Sequence, residues 1–340
     1  MDTFRKFIAG VCAVLFIISG IATLFAFNIE WKAFDSATYK RAFEKQNLYE
    51  RIPALLANAL FTFINQNVNT DPYLKAITVD DWQVTIATLL PPLELKATTD
   101  LALDSVFDYV NNRSDTAVIS LLPLKSTLLG PAGITVAKQI LQAQPDCTTE
   151  QLLQIGLGLL NGDIALCNPP EEMLGLVTPM IESQFQAMTL TIPDEIILIG
   201  DTPIDPQADP RVRLTQARTL LKITPVFPLL FLFGVTIFGV RSLVDWLKWW
   251  GWPFLLTGAA SSVLALIGSP VLGWIIQRVM QIEGSVFIPP ILLSALGETV
   301  SVVSAEILSP VAIEGSILAF FGLLMVLVGI FVTKQRARLI

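Results

Sequence analysis

The chain has 340 residues, 53% of them hydrophobic and only 15% charged, with a net charge of −7 and a mean hydropathy of +0.63. That balance is too apolar for an ordinary soluble protein of this length, and its acidity argues against nucleic-acid binding through bulk charge. The chain contains no histidine, which excludes Ser-His-Asp and Cys-His catalysis, His-ligated zinc or haem, and His-based pH sensing.

Residues 1–6 form a short basic head with Arg5 and Lys6, read as a cytoplasmic N-terminus. The run from Phe7 to Phe27 has no Asp, Glu, Lys or Arg and is long enough to cross ~30 Å of hydrocarbon, so 7–28 is assigned as the first transmembrane helix. A cleaved signal peptide is the rival reading. The run is longer than a signal's apolar core, and Phe25-Ala26-Phe27-Asn28 offers no small-x-small site, so a signal anchor is expected. Cys12 lacks the residues of a lipoprotein site before it and reads as a small packing residue inside the span.

Residues 29–210 read as one folded, mostly α-helical extracytoplasmic domain, large enough for a core of its own. Apolar residues recurring at three and four predict helices over Phe34 to Lys45, Tyr49 to Gln66, Asp80 to Leu90, Leu93 to Asn111, Gly133 to Gln142, Thr148 to Leu160 and Glu171 to Met188. Pro53 is tolerated in a first turn, and Thr148 with Gln151 has capping-box spacing. A short β-hairpin is expected near 189–199, with Leu190-Thr191-Ile192 and Ile196-Ile197-Leu198-Ile199 as its arms. Cys147 and Cys167 stand about twenty residues apart between prolines, a spacing that fits neither a CxxC redox motif nor a zinc site. Paired, they would stabilise the domain by ~3 kcal/mol and place it outside the cytoplasm; two unpaired buried thiols are the alternative.

Two acidic groups in this region suggest cation binding. Asp100, Asp104 and Asp108 share one helical face, where like charges repel unless a cation relieves them; a solvated face is the plainer reading. Asp201, Asp205 and Asp209 lie in a proline-rich connector that matches no EF-hand and reads as an acidic linker. Asn112-Arg113-Ser114 is a formal glycosylation sequon. Gly156 to Gly162 departs from a dinucleotide loop at its third glycine. From Ile29 to Lys222 there are 23 acidic and 14 basic residues, a net charge of −9.

Residues 211–222 form a juxtamembrane segment in which Arg211, Arg213, Arg218 and Lys222 have no acid among them. Its expected role is to contact lipid phosphates or the acidic domain. The second span is 223–243, from the uncharged run Ile223 to Val240, with Lys222 able to snorkel. A cytoplasmic loop at 244–250 leads to the third span at 251–276, where Thr257 to Ser262 suit close helix packing and Pro270 predicts a kink. The outer loop 277–310 carries an amphipathic helix, Ile291 to Leu308, expected at the interface. The fourth span is 311–333 and the cytoplasmic tail 334–340. Glu306 and Glu314 fall near hydrocarbon depth, where a carboxylate is costly unless it snorkels or functions.

Seven basic residues of the short loops and tails, Arg5, Lys6, Arg241, Lys248, Lys334, Arg336 and Arg338, fall on one side against Arg278 on the other. The positive-inside rule then puts both termini in the cytoplasm and the large domain outside the plasma membrane. The four basic residues at 211–222 run against it, although long translocated domains largely escape the rule.

The chain is therefore expected to be mainly α, a four-span helical membrane protein whose outer domain serves binding, sensing or scaffolding. Its expected partners are the lipid bilayer and another membrane or envelope protein, with no nucleic acid and no cofactor. No catalytic or metal residue is assigned; the candidate functional carboxylates are Glu306, Glu314, Asp100, Asp104 and Asp108. Two alternatives stand beside this reading: a permease-type transporter subunit, on topology alone, and a carboxylate-dependent membrane enzyme.

Overall fold

A computed structural model describes residues 2–66, 72–75, 77–158, 167–199, 209–283 and 290–338. It is 84% helical, with four helices long and apolar enough to cross a membrane, and it divides into two compact units. The first comprises Met1–Ala42, Thr202–Arg278 and Gly297–Ile340, the second Phe43–Asp201 and Val279–Leu296.

In the first unit, α1 (Asp2–Ala33) runs through the first uncharged stretch and six residues past Phe27. Tyr39 of α2 (Ser36–Lys45) closes its end by donating from Oη to the Ala33 carbonyl at 2.9 Å. The second candidate span is two helices, α11 (Pro210–Ile223) and α12 (Val226–Gly239). Two prolines break them apart, because Pro225 and Pro228 cannot donate to the carbonyls four residues back. Thr224 Oγ1 covers the first of these, Leu221 O, at 2.6 Å. The second, Thr224 O, accepts from Thr23 Oγ1 of α1 at 3.0 Å, so the break is stitched to its neighbour.

The last two spans are α13 (Leu243–Glu283) and α14 (Pro290–Arg338). At 1.5 Å per residue they are about 60 and 73 Å long, far beyond a hydrocarbon core. The helix expected to lie separately at the interface over 291–308 is thus continuous with the fourth span. Pro310 does not end it, and Ser309 Oγ approaches the Glu306 carbonyl that Pro310 leaves uncovered. Pro253 and Pro270 likewise lie inside a continuous α13.

Glycines set how closely α13 and α14 approach. Gly251 and Gly258 recur at seven residues on α13, as do Gly315 and Gly322 on α14, the repeat that keeps one face of each helix on the other. A Cβ on Gly258 would overlap the backbone of Gly315 and Ala319, and one on Gly322 would overlap that of Gly251 and Leu255. Ser262 Oγ adds a bond to the Ala312 carbonyl at 3.0 Å. The small-residue cluster at 257–262 is thus split between neighbours, because Thr257 meets Gly20 of α1. Cys12 is a free thiol packed against Gly234 of α12.

The second unit holds α3 (Leu48–Gln66), α4 (Pro72–Lys75), α5 (Val79–Leu89), α6 (Pro92–Val110), α7 (Leu122–Leu129), α8 (Pro131–Gln142), α9 (Thr149–Gly158) and α10 (Glu171–Thr191). Ala57 and Ile64 of α3, Ile77 just before α5 and Trp82 of α5 are its buried centre, with Ile86, Ile140 and Ala143 against them. Pro53 falls past the first turn, since α3 begins at Leu48. The expected capping box at Thr148 is present: Gln151 N donates to Thr148 Oγ1 and Thr148 N to Gln151 Oε1. Asn112, at φ 57°, takes the left-handed position after α6. The amides of Asn112 and Arg113 reach back to the carbonyls of Tyr109 and Asp108, the paired bonds of a Schellman end.

The expected hairpin at 189–199 does not form. Leu190 and Thr191 finish α10, and β2 (Glu195–Ile199) pairs antiparallel with β1 (Ala117–Ser120). The register runs from Ser120 opposite Glu195 to Ala117 opposite Ile199, with an irregularity after Val118. Ser105 of α6 takes the Val118 amide at 2.9 Å on the other side of β1.

Candidate functional site

The polar side chains of the first unit gather where α1, α2, α11 and α14 meet. α1 presents Asn28 and Glu30 one turn beyond its apolar run, both buried. Glu30 Oε1 accepts from Arg218 Nη2 at 2.9 Å and Nε at 3.3 Å, and Lys222 Nζ lies at 3.5 Å. Arg218 and Lys222 are four apart on α11 and so share a face. The Arg218 guanidinium also sits over the Phe34 ring, 4.5 Å from its centroid. Glu30 thereby ties the first span to the helix leading into the second.

The two carboxylates singled out on α14 both have partners within this unit. Glu314 Oε2 accepts from Asn28 Nδ2 at 2.8 Å, and the same amide donates to the Leu24 carbonyl at 2.9 Å. Glu306 Oε2 stands 3.7 Å from Arg41 Nε of α2. Neither carboxylate shares a partner with the other in these bonds. Each links α14 to a different helix, Glu314 to α1 and Glu306 to α2.

The face of α6 divides its acids in the same way. Asp100 accepts from Tyr49 Oη at 3.3 Å, and Asp108 pairs with Arg113 at 3.4 Å beside the helix end; Asp104 is partly buried and also has an interaction partner. Burial, then the neighbouring charge of Asp100, push the Tyr49 phenol far above its ordinary value of 10.0. Burial likewise raises the Tyr39 phenol. Glu44 holds Lys96 protonated to higher pH than usual through a direct bond. Among the described residues no three Cys, Asp or Glu side chains converge as a metal site would.

Cys147 and Cys167 form a disulfide. Asp146 and Asn168 make a parallel bridge beside it, with Cys147 N donating to Asn168 O at 3.1 Å and Asn168 N to Pro145 O at 2.9 Å. The bridge thus closes a loop that begins with the capped helix α9.

The basic segment at 211–222 meets acids from the two ends of the stretch 29–210, Glu30 and Asp209. Asp209, which caps α11 through the Arg211 amide, also pairs with the Arg211 guanidinium at 3.0 Å. With Arg218 and Lys222 on Glu30, three of the four cations already face carboxylates of their own unit, and Arg213 is exposed. Asp201 and Asp205 lie outside the described residues. Asn28, Glu30 and Arg41 were not foreseen as a site. One signal was available: Glu30 is the first acid after the span, and an acid-free cationic stretch precedes the next one.

Comparison of the chain with protein-family models, with curated proteins and with solved structures finds no match.

Proposed function

We propose that this chain is a plasma-membrane protein with both termini in the cytoplasm and residues 29–210 outside, where that domain binds a segment of another membrane or envelope protein. The Cys147–Cys167 disulfide carries the placement, because such bonds persist outside the cytoplasm and are rare within it. The basic residues Arg5, Lys6, Arg241 and Lys248 at the opposite ends of the spans support the same direction. Binding is favoured over catalysis by the carboxylates, since Asp100, Glu30, Glu306 and Glu314 already link elements of the fold and Asp108 pairs with Arg113 at its own helix end.

A surface for a partner is offered by β2. Ile196, Ile197 and Leu198 are exposed, Ile197 at 62%, and among the described residues no second strand pairs with β2 beyond β1. An exposed apolar edge accepts an extended chain by strand addition, main-chain bonds giving affinity and alternate side chains specificity.

Two measurements on the full chain in cells test this reading. A membrane-impermeant maleimide should label Cys147 and Cys167 only after reduction; labelling that requires lysis would invert the topology. Cross-linking through β2 should capture one extended protein segment in the wild type and lose it in Ile197→Lys. Identical capture by the two would refute the strand-addition site.

A further inference from the structure

The first unit has a groove of ≈ 300 Å³ between α1 and α13, near the end of the spans that carries the N-terminus of α1. Val14 and Ile17 line it from α1, Pro253 and Leu256 from α13, and Trp249, Trp252 and Lys248 of α13 complete the lining. The volume sits at the small end of ligand sites, and a lining that is apolar apart from one cation is the wrong chemistry for a polar metabolite.

The indoles around this groove behave differently from one another. Trp250 turns into the bundle, where its Nε1 donates to Thr236 Oγ1 at 3.1 Å and its ring meets Phe254. Trp249 packs its ring on Gly239 of α12, and Trp252 is half exposed. Among the described residues neither of these two indole N–H groups has an acceptor.

The cations at this end of the spans differ in what they already hold. Arg5 spends one N–H on the Ile237 carbonyl near the end of α12, a favourable place for a positive charge. Lys248 lays its stem on Gly329 of α14, and among the described residues no carboxylate lies within ion-pair distance of Lys248 or Arg241. Asp245, on the same turn of α13 as Lys248, is instead engaged with Ser242 in a reciprocal cap. This contrasts with Arg218 and Lys222, which share a buried acid.

We propose that this groove is a binding site for one anionic phospholipid. An acyl chain lies along Val14, Ile17, Pro253 and Leu256, and the phosphate meets the Lys248 ammonium and the indole N–H groups. Charge complementarity selects the lipid: an unpaired lysine beside an apolar groove attracts an anionic headgroup and gains little from one whose phosphate is already balanced by choline. Interfacial tryptophans suit the same depth, having an apolar body and one polar tip.

The test is native mass spectrometry of the full chain released from detergent micelles with added phosphatidylglycerol or phosphatidylcholine of identical acyl chains. Wild type is expected to retain one phosphatidylglycerol at least fivefold over phosphatidylcholine, as the attraction of a single interfacial lysine gives. Lys248→Gln should bring the ratio near parity and Lys248→Arg restore it. Val14→Trp, which fills the groove from α1, should lower retention of both lipids. Lys334→Gln removes a cation that does not line the groove and should leave the ratio unchanged. The proposal is overturned if wild type shows no preference, if Lys248→Gln keeps it, or if Lys334→Gln reduces it equally, the last meaning attraction by net charge alone. Should Val14→Trp fail to elute as a folded species, the Lys248 and Lys334 variants decide the matter, since both alter charge without crowding the bundle.

Discussion

Replacing Glu30 by Gln should destabilise the membrane unit far more than removing Lys222, although both residues belong to one ion cluster. The Glu30 side chain is only 8% exposed and that of Arg218 19%, whereas Lys222 is 63% exposed. Breaking a buried pair from one side costs about 3–5 kcal/mol because it strands the other charge. Two considerations lower that here: both Arg218 N–H groups converge on one oxygen instead of forming a two-oxygen fork, and glutamine keeps an acceptor in place. About 2 kcal/mol remains for Glu30→Gln, and somewhat more for Arg218→Gln, which also loses the Phe34 contact. Lys222→Gln removes a solvated partner and should cost no more than about 0.5 kcal/mol. Unfolding the purified chain in mixed micelles by titrating denaturing detergent, read by tryptophan fluorescence, gives these differences. A double-mutant cycle between Glu30→Gln and Arg218→Gln should give a coupling above about 1 kcal/mol. Additive single effects, or a Lys222→Gln cost equal to that of Glu30→Gln, would refute the clamp.

Cys147→Ser with Cys167→Ser should lower the stability of the second unit by about 3 kcal/mol, read as an earlier loss of Trp82 fluorescence in denaturant. Gly258→Leu and Gly322→Leu should abolish close α13–α14 packing, since each added side chain meets backbone, while Gly10→Ala, with open space around it, should leave yield and elution unchanged. Tyr49 gives a pH signature. Its folded pKa is raised above the unfolded value of 10.0, so its contribution is complete below pH 10 and falls as pH rises beyond that. Tyr49→Phe should therefore flatten stability against pH between 10 and 12; an unchanged slope would mean that the phenol is as free in the fold as in the unfolded chain. Lys96 contributes in the same direction above its ordinary value of 10.5, and Lys96→Met separates the two.

Much of the architecture was legible because its signals are local. Uncharged runs mark the candidate spans, Thr148 with Gln151 marks a helix start, and Pro91-Pro92 caps and opens α6. Pairing between distant segments was not legible. The true partner of β2 is Ala117–Ser120, four residues with no distinctive alternation, and a helix-compatible Leu190-Thr191 lay closer in sequence. The length of α14 was hidden for a different reason: Pro310 reads as a boundary, yet Ser309 and packing against α13 carry the helix through it. Among the site residues, Glu306 and Glu314 were visible from their depth, because a charge near hydrocarbon is anomalous wherever it occurs. Their partners were not, since Asn28 and Arg41 lie more than 260 positions away and are unremarkable in their own surroundings.

The same geometry bears on the one sequence feature that opposed the proposed orientation. Four cations precede the second span on the side where the positive-inside rule wants few. In the folded chain Arg218 and Lys222 are met by Glu30, an acid of α1, and Arg211 by Asp209. Holding them outside therefore carries little electrostatic cost once the spans have packed. The cations at the other end of the bundle differ in kind: among the described residues Lys248 and Arg241 have no such acids, which leaves them to the lipid headgroups proposed above. A count of basic residues treats these two sets alike. Their partners separate them, one set closing contacts inside the protein and the other fitted to meet an anionic leaflet, and that difference agrees with the orientation that places the disulfide-bonded domain outside.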